Sequence, residues 1–203
     1  MDPKAHWETI YRTKDPTRVS WFQSDPLLAL RLIAEAAPQR DAFILDVGGG
    51  ASQLVDGLLR LGYRRLAVLD LSPSALNYAR SRLGEKSRSV TWIEGDVLAL
   101  PVPDGSVDIW HDRAVFHFLT DPVDRARYVA QVRRAVRPGG HVLVATFAEH
   151  GPPRCSGLEV AHYSAAGLHE VFGPSFHLLR SEEEDHITPD GVHQAFVYCL
   201  CRR

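Results

Sequence analysis

The chain of 203 residues has only three cysteines, at positions 155, 199 and 201, which form neither a disulfide framework nor a zinc-ligand spacing. Cys199 and Cys201 stand two apart on an expected strand, so they share a face and read as small packing residues. None of the ten histidines makes a helix-borne pair with metal-ligand spacing, and no metal is expected. No apolar run is long enough to cross a membrane, and Met1-Asp2-Pro3-Lys4 carries no signal-peptide pattern, so a cytoplasmic protein with no membrane partner is expected. A surplus of charge is missing too. The 23 Lys and Arg against 25 Asp and Glu leave a net charge of −2, which argues against a nucleic-acid partner. Arg125, Arg127, Arg133, Arg134 and Arg137 gather on one expected helix and read as a solvated face. Repeats and low-complexity segments are also lacking. What remains is 45% hydrophobic and 24% charged, the composition of an ordinary globular protein of one domain.

The most informative absence is a single glycine. Phe43-Ile44-Leu45-Asp46-Val47 is an apolar run ending in an acid, followed by Gly48-Gly49-Gly50 and then by Leu54, Val55, Leu58 and Leu59 at helical spacing. This reads as strand, tight turn and helix, with backbone N–H groups free to approach a ligand. A dinucleotide fingerprint would need a third glycine where Gln53 stands, and a pyrophosphate would lie badly beside Asp46. A positively charged ligand would not. A second apolar strand, Leu66 to Leu69, ends in Asp70, where a carboxylate can accept both hydroxyls of a ribose.

Asp46-Val47-Gly48-Gly49-Gly50, Asp70, and Gly95-Asp96-Val97 after a third apolar strand together resemble the class I S-adenosylmethionine-dependent methyltransferases, whose acid-x-Gly-x-Gly pattern this chain matches. The resemblance runs from about Asp41 to Gly140 and includes the turn Arg137-Pro138-Gly139-Gly140. It implies a Rossmann-like α/β fold: a doubly wound, mostly parallel sheet of seven strands, the last inserted antiparallel beside the fifth. It also implies S-adenosyl-L-methionine as cofactor. The opening, His6-Trp7-Glu8-Thr9-Ile10-Tyr11 through Trp21-Phe22, resembles the entry segment of small methyltransferases whose aromatics lie over the methionine moiety. A single domain over 1–203 is expected, with a helical lid (1–40), a cofactor-binding core (41–148), and a substrate loop and C-terminal hairpin (149–203).

Several element boundaries are expected. Asp25-Pro26 should begin a helix with the acid as N-cap, Ser72-Pro73 another ending at Gly84, and Asp121-Pro122 a third. Strand should alternate with helix five times. Phe176 to Leu179 and Ala195 to Leu200 should be strands separated by a charged stretch and the turn Thr188-Pro189-Asp190-Gly191.

In open α/β sheets, ligands bind outside the carboxyl ends of the strands where strand order reverses. That rule and the resemblance select Trp21, Asp46, Gly48, Gly49, Gly50, Asp70, Leu71, Asp96, Val97 and Asp112 for the cofactor. Asp70 should take the ribose hydroxyls and Asp96 the adenine amino group, with Val97 beside the ring. His111 is the candidate base and Arg113 a candidate clamp for an acidic substrate, together with Arg154. His117, His150, Arg154, Cys155, His186 and His193 should converge on the acceptor from loops at the same edge. The acceptor is expected to be a small molecule methylated on N, O or S. Protein lysine methylation is the alternative, because Asp112 to Val115 loosely resembles lysine methyltransferases of translation factors. A non-catalytic S-adenosylmethionine sensor is the third reading.

Overall fold

The computed structural model describes residues 2–203. Helix α1 (Pro3–Thr13) opens with Asp2 accepting the Lys4 N–H and Pro3 at its first position. Helix α2 (Leu27–Ala36) starts later than its sequence suggests: Pro26, at φ −80° and ψ 61°, is the cap, and the Asp25 side chain caps nothing. The Leu27 N–H is taken by the Asp25 carbonyl instead.

Five parallel strands follow, β1 (Phe43–Val47), β2 (Arg65–Asp70), β3 (Val90–Glu94), β4 (Val107–Arg113) and β5 (Val136–Phe147). Their crossovers include α3 (Leu54–Arg60), α4 (Pro73–Leu83) and α5 (Pro122–Ala135). After β5 come a two-residue-stranded hairpin, β6 (Arg154–Cys155) with β7 (Leu158–Glu159), then α6 (Ala165–Phe172), β8 (His177–Ile187) and β9 (His193–Arg202). The sheet order is β3-β2-β1-β4-β5-β9-β8, with β9 antiparallel to both its neighbours. This is the expected doubly wound seven-stranded sheet, and the order reverses between β1 and β4.

Alternation along the strands sends side chains to two core layers. Ile44, Val68 and Ile109 pack under α2 and α3, whereas Leu45, Leu69 and Trp110 pack under α5 and α6. Ser72 caps α4 by accepting the Ala75 N–H, and Gly84 ends it at φ +57°, as the sequence indicates.

Two further expectations fail. The β3–β4 crossover holds no α-helix, only a 3₁₀ turn at Val97–Ala99, because Pro101, Pro103 and Gly105 interrupt any helical run. The charged stretch Arg180 to His186 is not a loop between strands but the body of β8. Charge there suits a sheet edge, where it discourages pairing with another chain. One of its carboxylates, Glu182, is held from the side by Arg31, which donates to it from both terminal guanidinium nitrogens.

Candidate active site

The ends of β1, β2 and β3 and the turn after β1 form one wall of a cavity of about 580 Å³. Gly48 takes φ +65°, and a Cβ there would lie 2.0 Å from Val115 Cγ2. A Cβ on Gly49 would lie 2.2 Å from Asp46 Oδ2, and one on Gly50 would lie 2.5 Å from Asp70 Oδ2. The three glycines are thus needed for close approach to their neighbours, and no side chain stands over the turn. The Gly50 N–H donates to Asp70 Oδ2 (3.0 Å) and the Ser72 N–H to Oδ1 (2.8 Å), aiming the carboxylate while leaving lone pairs on both oxygens. Burial pushes the Asp70 carboxyl up to about 6, so it is ionised at neutral pH. Asp96 is more exposed and caps its own turn by accepting the Leu98 N–H. Leu71, Val97 and Leu98 supply apolar surface beside these two acids.

The opposite wall comes from α1 and from the segments that follow β4 and β5. Trp7 packs edge-on against Trp21 and Phe118, with ring centroids 5.6 and 5.0 Å apart, and the Trp21 Nε1–H donates to the Tyr11 hydroxyl. Glu8 fastens this wall: it accepts from the Ser72 hydroxyl and from both the backbone N–H and the hydroxyl of Ser74, at the start of α4. Those hydroxyls hold its carboxyl below the usual range.

A second, smaller hollow of about 50 Å³ shares Tyr11, Trp21, Val47, Gly48 and Arg113 with the main cavity, and is further lined by Asp46, Gly49 and His111. Parallel pairing sets Asp46 beside His111, and His111 Nδ1 lies 2.7 Å from Asp46 Oδ1. Arg113 donates to the Tyr198 hydroxyl and the Trp21 carbonyl, lies 4.1 Å over the Phe196 ring, and keeps one nitrogen 3.6 Å from Glu184. Asp46 Oδ2, His111 Nε2 and Arg113 Nη2 are all buried without a hydrogen-bond partner. An unpaired buried polar atom costs about 1–3 kcal/mol, and three around one hollow mark a place for a polar ligand group or water.

Other expected residues lie elsewhere. Asp112 is fully enclosed and takes no part in the cavity; its carboxylate accepts from the Val115 and Phe116 N–H groups and from the Tyr128 hydroxyl. It holds the sharp turn in which Ala114 has φ +68°, and burial pushes it up to about 6. His117 is buried away from the cavity, where burial lowers it to about 3 and Nδ1 accepts the Phe147 N–H at 3.4 Å. The Nε2–H of His186 donates to the Ser20 carbonyl, fastening residue 20 to β8. His150 is exposed and outside both hollows. His193 is exposed beside Asp185. Arg154 is not part of the cavity lining and lies 3.5 Å from Glu159, so it forms no clamp with Arg113. Of the residues expected at the acceptor, Arg113 and Cys155 line the cavity, and burial pushes the Cys155 thiol up to about 12, which leaves no thiolate at neutral pH. Among the described residues no cluster of side chains could hold a metal, and no helix is long and apolar enough to cross a membrane.

Sequence reasoning did not single out Phe118, Leu98, Asp124 or Glu159, which line the cavity. Phe118 and Asp124 follow β4 closely at the ligand edge, a usable signal. Glu159 depends on a short hairpin that no pattern announces.

Fold and site together define a doubly wound α/β protein with a nucleoside-sized cavity at its strand-order reversal. Residues 45–144 match the family model described as a methyltransferase domain. A ubiquinone/menaquinone biosynthesis C-methyltransferase of Paracoccus denitrificans is 32% identical over 120 residues, 58% of this chain and 47% of that protein. An eEF1A lysine and N-terminal methyltransferase of Danio rerio is 26% identical over 147 residues, 71% of this chain and 21% of that protein. The chain therefore spans half or less of the length of these curated relatives. A solved S-adenosylmethionine-dependent methyltransferase from Anabaena variabilis superposes with a TM-score of 0.77 at 17% identity, covering 100% of this chain and 96% of its own. In sequence over residues 45–144 and in fold over its whole length, the chain resembles the class I S-adenosylmethionine-dependent methyltransferases.

Proposed function

We propose that the protein transfers a methyl group from S-adenosyl-L-methionine to a nucleophilic N, O or S atom of a small-molecule acceptor. The observation that carries this reading is the combination of the strand-tip acids with a side hollow whose Asp46, His111 and Arg113 each keep one buried atom free of hydrogen bonds. A nucleoside with an amino-acid tail complements each part. Its ribose hydroxyls would donate to Asp70 and its base amino group to Asp96, with the ring against Leu71, Val97 and Leu98. Its ammonium would meet Asp46 Oδ2 and its carboxylate Arg113 Nη2, two buried atoms without a hydrogen bond, the second within 3.6 Å of Glu184. A diphosphate would instead face Asp46 and Asp70 with like charge.

When bound, the cofactor supplies a methyl carbon on cationic sulfur, whose C–S bond breaks with its electron pair staying on sulfur as the bond to the acceptor forms. The residues shared by the two hollows define the neck where that sulfur would lie. Trp21 there would contribute a cation–π attraction of up to about 2 kcal/mol. Alignment in a site shielded from water supplies much of the acceleration, with effective molarities of about 10⁵ M or more. Glu8, by fixing α1 over the cavity, serves that shielding. His111 lines the side hollow rather than the main cavity. We therefore assign it, through its bond to Asp46, to holding the tail rather than to taking a proton from the acceptor. Arg113 has the same positioning role.

A small acceptor is favoured because α1 and the β6–β7 hairpin both wall the cavity. The Paracoccus denitrificans relative is, by its name, a C-methyltransferase of ubiquinone and menaquinone biosynthesis, which favours a small acceptor though on carbon. Protein lysine methylation is the second reading, favoured by the Danio rerio match, which extends over more of this chain. Incubating the protein with methyl-labelled S-adenosylmethionine and fractionated cell extract tests both. Label in the small-molecule fraction is expected. Label in protein alone selects the second reading, and no transfer despite cofactor binding favours a sensor.

A further inference from the structure

Beyond the strand-tip shelf, the main cavity has a remainder lined by more carboxylates than cations, with His6 its one histidine. Of the 23 lysines and arginines in the chain, Arg113 alone lines it. That guanidinium is engaged by Tyr198, Trp21, Glu184 and the Phe196 ring. Lys4, the neighbouring cation on α1, is drawn off to Glu94 at 2.6 Å. Arg154 and Arg127 reach Glu159 and Asp124 only at 3.5 and 3.4 Å, through exposed side chains outside the lining. Exposed pairs of that kind are worth little, so an incoming cation can replace either arginine beside its carboxylate at small cost. Against Arg113 stand four lining acids: Asp70 and Asp96 on the shelf, Asp124 at the first turn of α5, and Glu159 on the hairpin. Between them the wall is apolar and aromatic, from Trp7, Phe118, Leu119 and Leu158. Low-dielectric walls focus the field of these acids into the cavity.

From this arrangement we infer that the acceptor is an amine: a compact molecule with an aromatic or apolar body whose nitrogen enters toward Asp124 and Glu159, with carboxylate and phosphate compounds excluded. The inference rests on the cavity being the methyl-transfer site and names the acceptor class for it. It replaces the acidic substrate that Arg113 and Arg154 would have clamped. A protonated amine gains from the acids at the mouth and loses its proton to solvent before its lone pair can attack carbon. The body packs on Trp7 and Phe118, whose ring faces also attract a cation.

The test uses matched pairs differing in the sign of the head group: 2-phenylethylamine against phenylacetate, and tryptamine against indole-3-acetate. Binding is measured by calorimetry on the intact protein saturated with S-adenosylhomocysteine. Each amine is expected to bind at least about tenfold tighter than its carboxylate partner, and added salt to narrow the gap. The double substitution Asp124→Asn, Glu159→Gln should shrink the preference by about fivefold while leaving S-adenosylhomocysteine affinity unchanged. Equal or tighter binding of the carboxylates, no binding of either amine, or a preference untouched by the double substitution overturns the inference. Failure of S-adenosylhomocysteine itself to bind would instead overturn the methyltransferase reading, so the two failures are separable.

Discussion

The ends of β2 and β4 carry two aspartates that are alike by every measure except direction. Asp70 and Asp112 each terminate or nearly terminate a parallel strand, each is buried, and in each burial pushes the carboxyl up to about 6. Asp70 leaves lone pairs facing a cavity. Asp112 turns to the other side of the sheet and gives its oxygens to two N–H groups and the Tyr128 hydroxyl. A costly buried acid at a strand tip therefore marks a ligand only when its unspent lone pairs face open space; otherwise it is a cap for a strained turn.

Substitution at the two positions sharpens that contrast. Asp70→Ala should weaken S-adenosylhomocysteine binding by roughly 10- to 100-fold, the worth of hydrogen bonds to a charged group at about 1.5–3 kcal/mol, in calorimetry well below the melting temperature. Asp112→Ala should do the reverse, costing about 3 kcal/mol of stability in denaturant titration by leaving three buried donors unpaired, with cofactor affinity unchanged while folded. A loss of affinity in both would erase the distinction.

The pH dependences follow from the same comparison. Ligand hydroxyls need the ionised Asp70, so affinity should fall several-fold from pH 7 to pH 5 as Asp70 is protonated through about 6, and Asp70→Ala should abolish that trend. For the free protein the sign is opposite. Both raised carboxyls contribute stability that is present below their unfolded value near pH 4 and is lost as pH rises through about 6. His117 works against them: lowered to about 3, it stays neutral in the fold, and its contribution is lost as pH falls from about 6.5 toward 3. His117→Phe should flatten the acid limb of a stability–pH curve. The smallest effect is expected at the exposed loop: Arg154→Ala and His150→Ala should leave cofactor affinity unchanged and stability within about 0.5 kcal/mol.

The same division explains what the sequence made legible. The glycine turn, the acids at the ends of β2 and β3 and the apolar strands carry local patterns whose meaning survives without neighbours, so the sheet and one cavity wall could be read directly. The direction of Asp112 could not, because it depends on Tyr128 from a helix 16 residues away. The contacts expected of His150, Arg154 and His186 failed for a similar reason: loop paths follow tertiary packing, not periodicity. β8 was misread because a charged edge strand lacks the alternation of a half-buried one. The pairing of Asp46 with His111 was within reach, since both precede the ends of adjacent parallel strands.

The central claim is that the cavity at the β1–β4 reversal holds a nucleoside with a charged amino-acid tail and not a diphosphate. Calorimetric titration of the intact protein with S-adenosylhomocysteine and, separately, with NAD tests it most directly. Saturable one-to-one binding of the first and none of the second is expected; binding of NAD, or silence with both, would contradict the account.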